Sequence, residues 1–84
     1  MQTTEAFETI VGVLAPYLGE TMARASTQGV CDKLGIRGDS ISAQELQALV
    51  SKLASGLAVF VGREKSAQVV EEIRRSLDGR GRPA

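Results

Sequence analysis

The groups in this sequence that could do acid–base or nucleophilic chemistry are ten carboxylates, three lysines, the phenol of Tyr17 and the thiol of Cys31, and there is no histidine. A general acid or base must lie within hydrogen-bond reach of the group that it serves. Glu71 and Glu72 are adjacent in a helical pattern, so their side chains diverge around the helix and form no focused pair. We therefore predict no catalytic residue and a protein that is not an enzyme.

The same composition argues against a metal or a cofactor. One cysteine and no histidine do not supply the ligands of a structural zinc site. The chain has no phosphate-binding glycine loop of the Walker type and no Ser–His arrangement. We predict neither a metal nor a cofactor, and we predict that Cys31 is a small buried hydrophobe rather than a reactive thiol.

Length and charge limit the class of protein. The 84 residues are enough for one small domain, whose core is marginal unless a partner extends it. Ten basic and ten acidic residues cancel, which argues against a broad nucleic-acid or anionic-membrane surface. The acidic N-terminus is unlike a signal peptide, and a single thiol suits a reducing compartment. We predict a cytoplasmic protein.

The segment Ile10–Gly19, which reads IVGVLAPYLG, is apolar throughout. It is about half as long as the roughly 20 residues that a membrane-spanning helix needs, and Glu8 and Glu20 flank it. We therefore predict that it is not inserted in a membrane and that it packs against protein.

The clearest helix begins at Ser42, where Glu45 completes a capping box. Apolar residues then recur at helical spacing over 46–61, and Gly62 is predicted to end the helix. A shorter helix over 64–77 is predicted to end at Gly79. No strand and no internal repeat stand out. We predict an all-α fold of three to four helices, in which 46–61 supplies most of the core, with one domain over 1–78 and a flexible tail over 79–84.

The first helical segment runs from about Thr4 to Leu34 and is interrupted at Pro16. Proline lacks a backbone donor and clashes with the carbonyl four residues earlier. Two solutions are open: the helix kinks at Pro16, or it breaks there and Pro16 opens a second helix at its first turn.

This segment carries the predicted interaction surface. A helix that is apolar on two faces, with two companion helices, leaves a patch that soluble monomers avoid and that a symmetric dimer would bury. We predict a homodimer or higher homo-oligomer, or a protein partner, held by large residues and by small residues that allow close approach. The large residues are Phe7, Ile10, Val11, Leu14, Tyr17, Leu18 and Met22, and the small ones are Gly12, Ala15 and Gly19.

The stretch Val13–Ala25, VLAPYLGETMARA, resembles the Leu-Ala-Pro-Tyr-hydrophobic-Gly-Pro-hydrophobic-Ala pattern of small helical modules in bacterial signalling and regulatory proteins. The resemblance covers about a sixth of the chain, and Glu20 stands where the pattern tends to carry a second proline. It implies a docking or oligomerising module in a bacterial regulatory system, and it transfers no catalytic residue.

Two alternative functions are kept. The tail residues Arg80, Gly81, Arg82 and Pro83 resemble the core of the AT-hook, a motif that binds narrow A·T-rich minor grooves, and would make this a DNA-associated protein. The usual flanking basic residues are missing, so nucleic acid is not the favoured partner. An apolar pocket between helices would instead make the protein a carrier of an apolar ligand.

Overall fold

The computed structural model describes the backbone of residues 2–81 and the side chains of residues 2–78. The prediction of an all-α fold with three to four helices is confirmed. The helices are α1 (Thr3–Leu18), α2 (Glu20–Leu34), α3 (Ala43–Val61) and α4 (Arg63–Gly81). Between residues 2 and 81 there is no strand, and an isolated bridge joins Gln2 to Ser40.

The predicted capping box of α3 is confirmed. The backbone N–H of Glu45 donates to the Ser42 hydroxyl over 3.1 Å, and the backbone N–H of Ser42 donates to the Glu45 carboxylate over 2.9 Å. These bonds satisfy two donors that the first turn of a helix leaves without partners. The other end of the chain differs from the prediction, because α4 continues through Gly79 to Gly81.

Pro16 neither breaks the helix nor opens a new one. It lies inside α1, in its last turn, and the chain breaks three residues later at Gly19, where φ is 85° and ψ is 153°. Pro16 removes a bond to the carbonyl of Gly12, and Gly12 is exposed, so water can reach that carbonyl. The backbone conformation of Gly19 belongs to a region that is essentially restricted to glycine.

The break at Gly19 is repeated 43 positions later at Gly62, where φ is 85° and ψ is 165°. At both sites the glycine N–H donates to the carbonyl four residues before it, and the glycine carbonyl accepts from the N–H four residues after it. Each glycine therefore ends one helix and starts the next. No internal repeat stands out in the sequence, yet the structure consists of two helix–glycine–helix units.

The two units make corresponding contacts between their helices. Both α1 and α3 pack against α2 and α4, so the four helices form a closed ring. We call residues 43 positions apart equivalent. Three equivalent pairs on α1 and α3 are buried: Ala6 and Leu49, Ile10 and Leu53, and Leu14 and Leu57.

The core is divided differently from the prediction. Over 46–61, α3 buries four residues, whereas α1 buries six. The end of α3 accounts for part of the difference, because its apolar residues Val59 and Phe60 are exposed. The α3–α4 contact also contains a polar bond, in which the buried Ser66 hydroxyl donates to the Ala54 carbonyl over 2.9 Å.

Candidate partner-binding groove

An open groove of about 270 Å³ lies between α2 and α3, with α1 beneath it. We call it the α2/α3 groove. Its lining residues come from three helices and are mostly apolar or small: Leu14, Leu18, Ala25, Ser26, Gly29, Val30, Lys33, Lys52, Leu53, Gly56, Leu57 and Phe60. Among the side chains that the structure describes, the charged residues that line the groove are two lysines, and no carboxylate lines it.

Phe60, at the edge of the groove, is 66% exposed. Phe60 belongs to the apolar run over 46–61 that was predicted to supply most of the core, and for this residue that prediction is wrong. The neighbouring Val59 is 86% exposed, so the end of α3 presents two large apolar side chains to solvent. An exposed apolar patch beside a concave apolar surface is typical of a site that binds another molecule.

Two glycines, Gly29 and Gly56, keep the groove open. Both lie inside helices, where a glycine costs about 0.5–1 kcal/mol relative to alanine. A Cβ atom at either position would meet nothing within 4 Å, so neither glycine is needed for a close contact between helices. Their effect in the folded chain is to leave space in the groove.

The equivalent place on the other side of the molecule is closed. Three groove residues have larger apolar residues as equivalents: Val69 for Ser26, Ile73 for Val30 and Val13 for Gly56. These three are buried, with 0%, 1% and 7% exposure. Side chains fill the space between α4 and α1, whereas the corresponding space between α2 and α3 is a groove. The groove therefore arises from the residues at these positions and not from the arrangement of the helices.

The aromatic residues show the same asymmetry. Tyr17 is half-buried, and the ammonium of Lys65 lies 5.5 Å from the centre of its ring, a cation–π contact. The equivalents of Tyr17 and Lys65 are Phe60 and Met22, and both are exposed. Phe60 therefore lines the groove as an exposed side chain, whereas its equivalent Tyr17 is half-buried.

The predicted interface residues fall into three classes of exposure. Core positions, with 0–3% exposure, are held by Ile10, Val11 and Leu14. The half-buried residues are Phe7, Ala15, Tyr17 and Leu18. The exposed ones are Gly12, Gly19 and Met22. Leu14 and Leu18 line the groove. The rest of the apolar face of α1 packs mainly inside the single chain, because α2 and α4 both pack against α1 and cover surface that was predicted to stay exposed.

Within the single chain, the two glycines of that surface are not sites where helices approach each other closely. A Cβ at Gly12 or at Gly19 would meet nothing within 4 Å, and Gly19 is needed for its positive φ. Sequence reasoning missed Lys33, Lys52 and Gly56. A glycine inside a helical pattern could have pointed to Gly56, whereas no signal in the sequence marks the two lysines. The similarity of LAPYLG at 14–19 to LAVFVG at 57–62 could have indicated the two glycine turns.

Cys31 is buried, with 4% exposure, as predicted. Burial is the main cause that raises the pKa of its thiol, and the neighbouring Asp32 carboxylate adds to this effect. Both lower the fraction of the nucleophilic thiolate. Over residues 2–81, no three His, Cys, Asp or Glu side chains are grouped so that they could hold a metal ion.

The AT-hook-like residues are only partly described. Arg80 and Gly81 lie in the last turn of α4, and Arg82 and Pro83 lie outside the described residues. The DNA-binding hypothesis stays a prediction.

A forked ion pair joins α1 to α2 on the surface away from the core. The Arg24 guanidinium donates to both carboxylate oxygens of Glu8, over 2.8 and 2.9 Å, and lies 3.5 Å from Glu20. The hydrogen bonds from Arg24 lower the pKa of Glu8 below its ordinary value of 4.5. A carboxylate whose pKa is lower in the folded state stabilises the fold above its unfolded pKa, and this contribution is lost as the pH falls through the folded pKa.

We therefore expect Glu8→Gln to lower the free energy of unfolding at neutral pH and to make no difference well below pH 4.5. The effect is small because both partners are exposed to solvent and screened by salt. Urea unfolding of both proteins across an acid-to-neutral series measures it. Glu71→Gln is the control, since Glu71 is an exposed helical glutamate outside the described ion pairs. An equal difference at all pH values would contradict this expectation.

Comparison with protein-family models, with curated proteins and with solved structures gives no match for this chain. The resemblance of Val13–Ala25 to bacterial signalling modules therefore stays a prediction. Within the described part of the chain, no helix has the length and apolar character that crossing a membrane requires.

Proposed function

We propose that this protein is a small non-enzymatic interaction module that binds a partner protein in the α2/α3 groove. The observation that carries the proposal is the contrast between the two sides of the molecule. Val69, Ile73 and Val13 close the packing on one side, and Ser26, Val30 and Gly56 leave it open on the other. The apolar groove and the exposed Phe60 offer surface that a partner would remove from water.

The proposal differs from self-association along Ile10–Gly19. Ile10, Val11 and Leu14 are already covered by the chain's own helices, so that face does not need a second copy. Homo-oligomerisation remains a candidate in another form, because a second copy could cover Val59 and Phe60. A role in bacterial regulation would be served by either kind of contact.

The test is site-specific photo-crosslinking in the native cells. A benzophenone amino acid replaces Phe60, which tolerates the change because it is exposed. The control carries it at Gln68 on α4, an exposed position equivalent to Ala25 of the groove. We expect a protein adduct from position 60 and none from position 68. Adding Gly56→Val, which fills the groove, should abolish that adduct.

Mass spectrometry of the adduct decides between the candidates. A different protein joined to position 60, and lost with Gly56→Val, supports the proposal. A second copy of this chain would replace it with homo-oligomerisation, and light scattering over a concentration series would then give the size. An adduct only with lipid or another small molecule would favour the carrier hypothesis and overturn the proposal. Equal crosslinking at both positions, or none, would also overturn it.

A further inference from the structure

We infer that the occupant of the α2/α3 groove is an amphipathic helix of a partner protein, with two large apolar side chains one turn apart and acidic side chains beside them. This inference rests on the proposed function and adds the chemistry of the partner. Three features of the groove carry it: its length, its volume and its charge.

The length of the groove suits a helix. Its walls run from Ala25 to Lys33 on α2 and from Lys52 to Phe60 on α3. Eight residues of helix rise about 12 Å, so each wall is about two turns long. A helix that binds in such a groove places apolar anchors three or four residues apart, with about 5–6 Å between their Cβ atoms. Two anchors fit along walls of this length.

The volume agrees with two anchors. A dry apolar cavity of roughly 150 Å³ holds one benzene molecule. The groove, at about 270 Å³, is nearly twice that size and is open to solvent, so two leucine or phenylalanine side chains fit when part of them stays at its mouth. Its floor includes Leu14 and Leu53, which are buried and supply apolar contact.

The charge selects the residues beside the anchors. Lys33 and Lys52 stand on opposite walls and are exposed, and no carboxylate of residues 2–78 lines the groove. Their alkyl stems can lie along the apolar surface while the ammonium groups meet charges at the rim. The chain as a whole has zero formal net charge, so the preference for acid is a property of the groove. A partner helix flanked by lysines would be repelled at both walls.

The experiment is a selection from a displayed library of helical peptides in which one face is randomised, with the full chain as the target. We expect the selected peptides to share Leu, Phe or Met at two positions one turn apart, with Asp or Glu next to them. Gly56→Val should weaken their binding about tenfold or more, because it occupies space that a side chain needs. Gly12→Val is the matched control, since Gly12 is an exposed helical glycine outside the groove.

Charge reversal tests the acidic partner separately. Lys33→Glu with Lys52→Glu should weaken a selected acidic peptide by about tenfold and should let the same peptide with lysines in place of its acids bind instead. Arg37→Glu with Arg75→Glu changes the net charge equally at exposed positions outside the groove and should change neither affinity much. The attraction should weaken in high salt.

The outcomes separate the inference from the proposal beneath it. Peptides without acidic enrichment, whose binding is still lost with Gly56→Val, would overturn the acidic helix and leave the groove as a protein-binding site. Peptides indifferent to Gly56→Val, or no peptides, would overturn both. Binding of dodecanoate, a free anionic amphiphile, without any peptide would replace both with the carrier hypothesis.

Discussion

Replacing Leu14 with alanine is expected to lower the free energy of unfolding by about 2–5 kcal/mol, and Leu14→Glu is expected to leave no folded protein. Leu14 is 1% exposed and lies beneath the α2/α3 groove, in the layer that includes its equivalent Leu57. Small domains have total stabilities of about 5–15 kcal/mol, so the alanine variant alone removes a large part. Urea unfolding followed by far-ultraviolet circular dichroism measures the loss.

Leu18 provides the contrast, because it is half-buried and lines the edge of the same groove. We expect Leu18→Glu to remain folded and to lose stability less than Leu14→Ala does. If the face of α1 were instead a dimer interface, both glutamate variants would give folded monomers, and their melting would not depend on concentration while that of the natural chain would. A helical, monomeric Leu14→Glu protein would show that Leu14 is not a core residue.

Local signals made the helices predictable. A serine followed three residues later by a glutamate predicts a capping box, and both hydrogen bonds of that box are present at Ser42 and Glu45. Gly62 follows a run of helical spacing, and it ends α3. In each case the stabilising contact lies within a few residues of its own sequence, so no knowledge of the remaining chain was needed.

The residue at which α1 ends and α2 begins could not be predicted from local rules, because both Pro16 and Gly19 are candidates for the break. Pro16 is a stronger helix breaker than Gly19 by intrinsic propensity. Its cost is reduced near the end of α1, where the carbonyl that it leaves free belongs to the exposed Gly12. Glycine can adopt the φ of 85° that the turn needs, and proline cannot. The break therefore lies where the backbone must turn.

The candidate site was not predictable from amphipathic spacing, because spacing assigns a face to each helix but not the neighbour that covers it. Phe60 lies on the same face of α3 as Leu53 and Leu57, yet it is exposed because it lines the α2/α3 groove. The gap arises from small residues on α2 and α3 together. Only the packed structure shows that Gly29 and Gly56 line the same groove.

The two turns at Gly19 and Gly62 lead to the second large effect. Replacing either glycine with alanine is expected to cost about 1–3 kcal/mol, because both adopt a backbone conformation that is essentially restricted to glycine. A Cβ would meet nothing within 4 Å at either site, so steric contact with the rest of the chain contributes nothing to the cost. For a domain of this size, each kcal/mol lowers the melting temperature by about 4–8 °C.

Two controls isolate the backbone conformation as the cause. Gly12→Ala places the same methyl group in open space within α1, and it should stabilise the protein by about 0.4–1 kcal/mol. D-Alanine introduced at 19 or 62 by chemical synthesis favours positive φ and should keep the stability that L-alanine loses. Thermal unfolding of this set would contradict the assignment if L-alanine at position 19 or 62 left the melting temperature unchanged.

The two single variants also test whether the helix–glycine–helix units are equivalent in energy as well as in shape. Gly19 and Gly62 share the same φ, nearly the same ψ and the same hydrogen bonds to the fourth residue on either side. If the turns are the same element used twice, L-alanine should cost similar amounts at both. The surroundings of the two turns differ, because the Ser66 hydroxyl donates to the Ala54 carbonyl and links α4 to α3, whereas the equivalent Ala23 has no hydroxyl. A larger loss of stability at one glycine would therefore measure how much the contacts of its own unit stabilise the turn.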